Sequence, residues 1–393
     1  MKFIHIADVH LGVTPDAGMP WSETRSRDIW NSFRLVIEQA RTQQVDLLLI
    51  AGDLFHRQPL KRELKEIAAW FAEIPDTEVI LIAGNHDFLH AKSYYRTFVW
   101  PENVHFILER DLTAVHLERI HMTVWGCSFW DKEDARTVYS SEILQKMMQN
   151  KAVRNTRNIE YDVSLTQGAF GRSANGGQVD QTQRNFQILL GHGGDEKHHP
   201  FRTNDIGAAG FDYVAFGHIH KAAQLVPGKV VMAGSLEPTD CNDFGPHGFW
   251  LGEMTERGTR VSFCPIKKCE YIWQEIDVTP DMSAYAVEEQ VQQELAKRES
   301  YQISHVVLRG YRDADIALPL EQIAQMERVV RVLDETEPDY QFDLLKKRYE
   351  GTLLQKYIEV MEQYPDPVQG KKALYYGVQA MLNAMGRRTG DVE

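Results

Sequence analysis

The sequence predicts an α/β fold built around a mostly parallel sheet, and three observations carry that prediction. Short apolar runs, KFIHIA (2–7), VDLLLIAGD (45–53) and EVILIAGNHD (78–87), each end in polar or glycine residues. Runs this short and continuous read as strands buried on both faces. Between them, apolar residues recur at three- and four-residue steps. These are Ile29, Phe33, Val36, Ile37 and Ala40 within 26–43, and Leu64, Ile67, Ala68 and Phe71 within 60–73. Strand, helix, strand, helix, strand in this order is the pattern of crossover helices over parallel strands.

After residue 100 the texture changes. VHFILE (104–109), AVHLER (114–119) and HMTVWGCSF (121–129) read as short strands, and 132–150 as a helix. The polar, Gly- and Asn-rich stretch 151–184 reads as a mobile loop. Strand patterns return at FQILLGH (186–192), DYVAFGHIH (212–220), KVVMAGS (229–235) and GFWLGEM (248–254). Near 275 a new segment begins, with strands YIWQEIDV (271–278) and SHVVLRGY (304–311) around a helix at 283–299. From Leu320 onward the pattern is mainly helical. A stripe of Phe342, Leu345, Tyr349, Leu353, Tyr357, Val360 and Met361 precedes Pro365 and Pro367, which divide this stretch into two helices. A chain of 393 residues exceeds one ordinary core. The expected domains are 1–274, 275–338 and 339–393.

Composition excludes some classes. Hydrophobic residues make up 43% and charged residues 25%, which is normal for a globular protein. No stretch reaches the ~18 uninterrupted apolar residues of a membrane span, so no membrane partner is expected. The four cysteines form no CxxC pair and read as reduced thiols of a cytoplasmic protein. The net charge of -13 argues against a simple basic nucleic-acid surface, unless bound cations supply local positive charge.

Five segments carry the chemistry: DVH (8–10), GD (52–53), GNHD (84–87), GH (191–192) and GHIH (217–220). Each follows a predicted strand, and strand ends are where open α/β sheets place their sites. One such segment alone says little; five in this order are a constellation. Asp8, His10, Asp53, Asn85, His192, His218 and His220 form a mixed nitrogen and oxygen set. That set suits Mn²⁺, Fe²⁺, Zn²⁺ or Mg²⁺ better than thiolates would. Residues i and i+2 on a strand share a face, so Asp8 and His10 are expected to reach one ion together and His218 and His220 to straddle a pair. Two such ions outweigh the two aspartates and leave a local sink for a phosphate inside an acidic protein. His198 and His199 could extend the site but read as solvated loop side chains. Arg25, Arg27, Arg57 and Arg96 could neutralise DNA phosphates but read singly as surface or salt-bridge residues.

At these motifs the sequence resembles the calcineurin-like metallophosphoesterase superfamily, over about residues 1–270. The resemblance implies two packed β-sheets, a β-sandwich flanked by helices. It also implies that Asp8, His10, Asp53 and His220 hold one divalent metal ion, most expectedly Mn²⁺, and that Asp53, Asn85, His192 and His218 hold the other. The two ions would activate a water for attack on phosphorus, with His86 near the leaving oxygen, stabilising or protonating it. Within the superfamily the chain looks most like the SbcD-type nuclease subunit of double-strand-break repair complexes. IHIADVHLG is close to that opening block, and GDLFHRQ places His56 three residues beyond the bridging aspartate, where it would help position His86 or the DNA phosphate. The tail resembles a small α/β capping domain followed by helices that clasp a coiled coil. The implied activity is a DNA exonuclease and endonuclease in DNA repair, working with an SMC-like coiled-coil ATPase and as a homodimer. A small-molecule phosphodiesterase or phosphatase of the same superfamily is the alternative.

Overall fold

The computed structural model describes residues 1–149 and 184–390. The loop placed by sequence at 151–184 falls almost wholly outside them. The chain divides into two compact units, 1–272 with the short stretch 299–304, and 273–298 with 305 onward.

The first unit follows the order β1 (Lys2–Ile6), α1 (Ser22–Thr42), β2 (Leu47–Ala51), α2 (Lys61–Ala72), β3 (Glu78–Ile82), β4 (Val104–Ile107), β5 (Thr113–Leu117), β6 (Met122–Gly126), α3 (Ser141–Gln149), β7 (Phe186–His192), α4 (Thr203–Ala208), β8 (Tyr213–Gly217), β9 (Ala223–Val226), β10 (Val230–Met232), β11 (Gly248–Thr255) and β12 (Gly258–Pro265). Two six-stranded sheets result, ordered β12-β11-β1-β2-β3-β4 and β5-β6-β7-β8-β10-β9. In the first, β1 to β4 run parallel while β11 returns antiparallel to β1.

Strand alternation explains why the apolar runs are unbroken. In β2, Leu47, Leu49 and Ala51 face the second sheet, where they pack in one core with Val124, Ile188, Leu190, Tyr213 and Ala215. Leu48 and Ile50 point the other way and pack against α1 through Ile29, Phe33 and Val36 and against α2 through Leu64, Ile67 and Phe71. A strand with both faces covered has no position for a polar side chain. The second sheet repeats this logic, with Leu189, Val214 and Phe216 packing against Tyr139, Leu144 of α3 and Ile206 of α4. The two-sheet sandwich with outer helices is therefore present. Truncating a buried leucine at such a seam costs about 2–5 kcal/mol.

The second unit holds most of β13 (Glu270–Val278), α5 (Ala284–Leu295), most of β14 (Gln302–Asp313), α6 (Leu320–Ala324), β15 (Val329–Asp334) and β16 (Glu337–Asp339), then α7 (Phe342–Arg348), α8 (Leu353–Glu362) and α9 (Pro367–Gly390). Its sheet is ordered β13-β14-β15, with β16 paired to β14. Val287, Val291 and Leu295 of α5 bury one face against Ile276, Val306 and Leu308. The Ser283 hydroxyl caps that helix by accepting from the Ala286 amide at 3.1 Å. Leu354 and Ile358 of α8 meet Leu374 and Val378 of α9 in a separate small core.

Four local readings are corrected. The helix expected over 132–150 begins only at Ser141. The Asp134 backbone pairs instead with Lys197 and His199, and its carboxylate accepts from the Arg136 amide. The mainly helical reading beyond Leu320 misses β15 and β16, whose pairing partners lie far off in sequence. The stripe from Phe342 to Met361 is two helices rather than one, interrupted at residues 349–352 where Gly351 has φ +76°. Strands β9 and β12 also went unread; neither has a fully buried residue, so neither presents a continuous apolar run.

Candidate metal centre

The candidate ligands converge from the ends of adjacent strands in both sheets. Asp8 and His10 follow β1, Asp53 follows β2 and Asn85 follows β3. His192 ends β7, and His218 and His220 follow β8. The two sheets approach closely at Gly217. A Cβ added there would lie 2.2 Å from the Ala51 carbonyl oxygen, 2.5 Å from the Ala7 Cβ and 3.0 Å from His192 Nδ1. The first is backbone and the second a Cβ fixed directly to it, so neither can swing away. Gly217→Ala is therefore expected to cost about 3 kcal/mol or more through overpacking, read as a lower denaturant midpoint. A midpoint within error of wild type would show that this approach is not tight.

The sequence argument from strand alternation does not survive. Asp8, His10 and His218 lie beyond their strands in left-handed or related backbone conformations, with φ of 49°, 51° and 99°, and Asp53 has φ 49°. Non-glycine residues are rarely held there, and such outliers gather at functional sites. The turns, rather than the pleat, bring Asp8 and His10 together. The Asp8 amide donates to the Gly52 carbonyl and the His10 amide to the Asp53 carbonyl, while the His218 amide donates to both Asp8 oxygens at 3.0 and 2.9 Å.

Inside the cluster, His10 Nε2 lies 3.1 Å from His220 Nε2 and 3.8 Å from Asp53 Oδ2. His192 Nε2 lies 3.4 Å from Asp53 Oδ2 and 2.9 Å from Asn85 Oδ1. Asn85 Oδ1 is 3.1 Å from His218 Nδ1. Asp8, His10 and His220 form one group able to hold a metal ion, and Asp8, Asp53 and His192 another. His192 Nδ1 donates to the Ala51 carbonyl at 2.8 Å, so in the neutral ring Nε2 is a lone pair facing oxygens of Asn85 and Asp53. Acceptors facing acceptors in a buried site call for a cation between them. Without a metal ion, a proton on His192 Nε2 meets the same need. Burial alone would lower His192, but the charge and hydrogen bond of Asp53 carry it up to about 9. Burial, ahead of its charged neighbours, raises Asp8 to about 6. Asp53 is held well below the carboxylate range although burial opposes this, because His192 faces it. The residues present thus fit divalent metal ions.

His86 stands at the open side, half-buried, while His56 is exposed. Their rings stack at 4.9 Å and 30°. The His86 amide donates to Asp53 Oδ1 at 2.8 Å, and its Nδ1 donates to the His56 carbonyl at 3.2 Å. His56 Nδ1 is 3.4 Å from His10 Nδ1. The structure therefore gathers all nine sequence-predicted site residues into one cluster.

The secondary candidates separate. His199 is not solvated: it is fully buried, its ring tilted against Phe129 at 4.2 Å and 3.3 Å from the Asp134 carboxylate. His198 is largely covered and donates from Nδ1 to Asp195. Both are corrections to the solvated reading, because residues 197–199 fold back over Asp134. Arg25 is buried against Glu237 at 3.1 Å, Arg57 pairs with Glu63 at 2.7 Å, and Arg96 lies over the Trp130 ring, while Arg27 is exposed. Three contributors had no role in the sequence reading. Asp87 accepts from the amides of Gly84 and Phe55 and from the Tyr95 hydroxyl, tying two of the ligand loops together. Asp195 and Asp243 accept from His218 and His220. The Gly-Gly-Asp after the GH motif could have drawn attention to Asp195, but nothing in the sequence marks Asp243.

Paired sheets with Asp, Asn and His gathered at the strand ends define a metallophosphoesterase. The chain belongs to the calcineurin-like phosphoesterase family, whose model matches residues 1–222, and it is accordingly a hydrolase of a class that uses divalent metals. It is similar to the uncharacterized metallophosphoesterase YhaO of Bacillus subtilis, at 26% identity across 93% of this chain and 91% of that protein. It is also similar to the DNA double-strand break repair protein Mre11 of Haloferax volcanii, at 24% identity across 87% of this chain and 69% of that one. With Mre11 of Archaeoglobus fulgidus the identity is 41%, but over 22% of this chain and only 19% of the relative's length.

Proposed function

We propose that this chain is a two-metal DNA nuclease, cutting phosphodiester bonds in DNA repair as a homodimer with an SMC-like coiled-coil ATPase. The observation that carries the reading is the stacked His56 and His86 pair on the open edge of the ligand cluster. A reacting group at an open edge suits a polymer better than a small molecule enclosed on all sides. The similarity to Mre11 proteins over most of the chain supports the same reading.

Asp8, His10, Asp53 and His220 would hold one cation, and Asp53, Asn85, His192 and His218 the other, with Mn²⁺ suited to this mixed donor set. Such ions supply Lewis acidity and an activated water. The chain's own part is positional. Asp53 anchors the His86 backbone, and the His56 carbonyl fixes the His86 ring so that Nε2 is the nitrogen left to protonate a leaving oxygen. His56 holds that ring by stacking on it.

In the second unit, Leu353 and Val360 lie two turns apart on one face of α8 and are 71% and 60% exposed; Tyr376 of α9 is 73% exposed. We read these as the docking side for the coiled-coil ATPase. Replacing all three with glutamate is expected to weaken co-purification with such an ATPase by about 30-fold or more, the scale of a hot-spot loss. DNA cleavage by the chain alone should persist, and undiminished association would move the docking site elsewhere.

Among the described residues no helix is long and apolar enough to cross a membrane, and we place the activity in the cytoplasm. The deciding experiment is Mn²⁺-dependent cleavage of labelled linear and hairpin DNA by the purified protein, with bis-p-nitrophenyl phosphate alongside. DNA cleavage establishes the nuclease. Turnover of the small ester with no cleavage of DNA, even with the ATPase added, establishes the small-molecule phosphodiesterase instead.

A further inference from the structure

The run GHGGDEKHH (191–199) does more than deliver His192. Gly193 and Gly194 have φ of +133° and +130°, and a Cβ at Gly193 would sit 2.3 Å from the His198 carbonyl oxygen. The Gly193 amide donates to the Gly217 carbonyl at 3.2 Å and the Gly194 amide to the His198 carbonyl at 2.8 Å. This closed turn presents Asp195. Its Oδ1 accepts from the amides of Lys197 at 2.8 Å and His198 at 3.0 Å, so the carboxylate is fixed before it meets the site. Its Oδ2 then accepts from His218 Nε2 at 2.6 Å. On the other side of the GHIH motif, Asp243 Oδ2 accepts from the amide and hydroxyl of Thr239, both at 2.9 Å, and from His220 Nδ1 at 3.0 Å.

The consequence is an asymmetry. A carboxylate that can only accept fixes which ring nitrogen of a neutral histidine carries the proton. His218 is protonated at Nε2 and keeps Nδ1 for the cluster, 3.1 Å from Asn85 Oδ1. His220 is protonated at Nδ1 and keeps Nε2, 3.1 Å from His10 Nε2. We infer that Asp195 and Asp243 are positioning residues that impose opposite tautomers on His218 and His220 and thereby assign two histidines, two positions apart, to two different cations. The inference rests on the two-cation reading given above. Asp195 also accepts from His198 Nδ1 at 2.9 Å. A purely structural role would end there, with no effect on which cation is bound.

The test is a Mn²⁺ titration of the full chain, with free ion followed by its electron paramagnetic resonance signal. It compares wild type with Asp195→Ala, Asp243→Ala, His218→Ala and His220→Ala. Wild type should take up two ions. Asp195→Ala should weaken one binding event by about 10- to 100-fold, the usual effect of losing a ligand's hydrogen-bond partner, and His218→Ala should weaken that same event. Asp243→Ala and His220→Ala should weaken the other event. Asp195→Asn and Asp243→Asn, which keep an acceptor oxygen, should stay within a few-fold of wild type. Two unchanged events in both aspartate-to-alanine variants, or the same event weakened by both, overturn the assignment while leaving the two-cation reading intact. A wild type that takes up fewer than two ions overturns that reading and this inference with it. Should an alanine variant fail to fold, the wild-type protein loaded with Zn²⁺ decides. Correlation spectra of its ¹⁵N-labelled histidines should show His218 protonated at Nε2 and His220 at Nδ1, and one shared tautomer overturns the proposal.

Discussion

Asp53→Ala is expected to leave a folded protein that neither takes up Mn²⁺ nor hydrolyses phosphodiesters. Asp53 is buried between the two halves of the cluster, 3.8 Å from His10 and 3.4 Å from His192, and it also accepts the His86 amide at 2.8 Å. On the two-cation reading proposed above, removing it would deprive both cations of a shared ligand, and it would free the backbone that carries His86. The loss should exceed the ~10–100-fold that follows from deleting an outer partner of a ligand. The fold should persist, because the sandwich core is built from other residues. The checks are Mn²⁺ uptake, turnover and the circular dichroism spectrum. Activity within tenfold of wild type would remove Asp53 from its bridging place.

His86→Ala should separate binding from turnover. The His86 ring donates to the His56 carbonyl and meets the His10 ring edge-on at 4.7 Å without a hydrogen bond to it, so cations should bind with near wild-type affinity. Cleavage of DNA should fall by roughly 10²- to 10⁴-fold, the usual contribution of a positioned acid. The diagnostic is the leaving group. A sugar hydroxyl needs a proton as it departs, whereas nitrophenolate does not. Hydrolysis of bis-p-nitrophenyl phosphate should therefore fall much less than cleavage of DNA. Equal losses on both substrates would make His86 a binding or orienting residue instead.

Much of this was legible in the sequence for reasons particular residues make plain. Leu47 to Ala51 could be read as a doubly covered strand because both faces of β2 are packed, which forbids polar residues. The five motifs could be read because each ligand follows such a run. What stayed hidden depends on contacts distant in sequence. Asp243 is 23 positions from His220 and carries no motif. The bridge between Asp134 and residues 197–199 takes the place of the first part of a helix that local pattern supports, and buries His199 with it. The left-handed turns at Asp8, His10 and Asp53 have no sequence signature, since glycine is the residue those turns favour and glycine is not what stands there.

That last feature bears on how such a protein ages in evolution. An aspartate or histidine kept in a left-handed turn costs of order 1–2 kcal/mol relative to a residue at ease there. At these positions, then, the substitution that most relaxes the backbone is also one that deletes a ligand. Selection for thermal robustness alone would favour glycine at the four ligands with positive φ; only selection for the site opposes it. A duplicated copy released from its task should show glycine arriving first at positions 8, 10, 53 and 218, while the strands that lead to them stay intact.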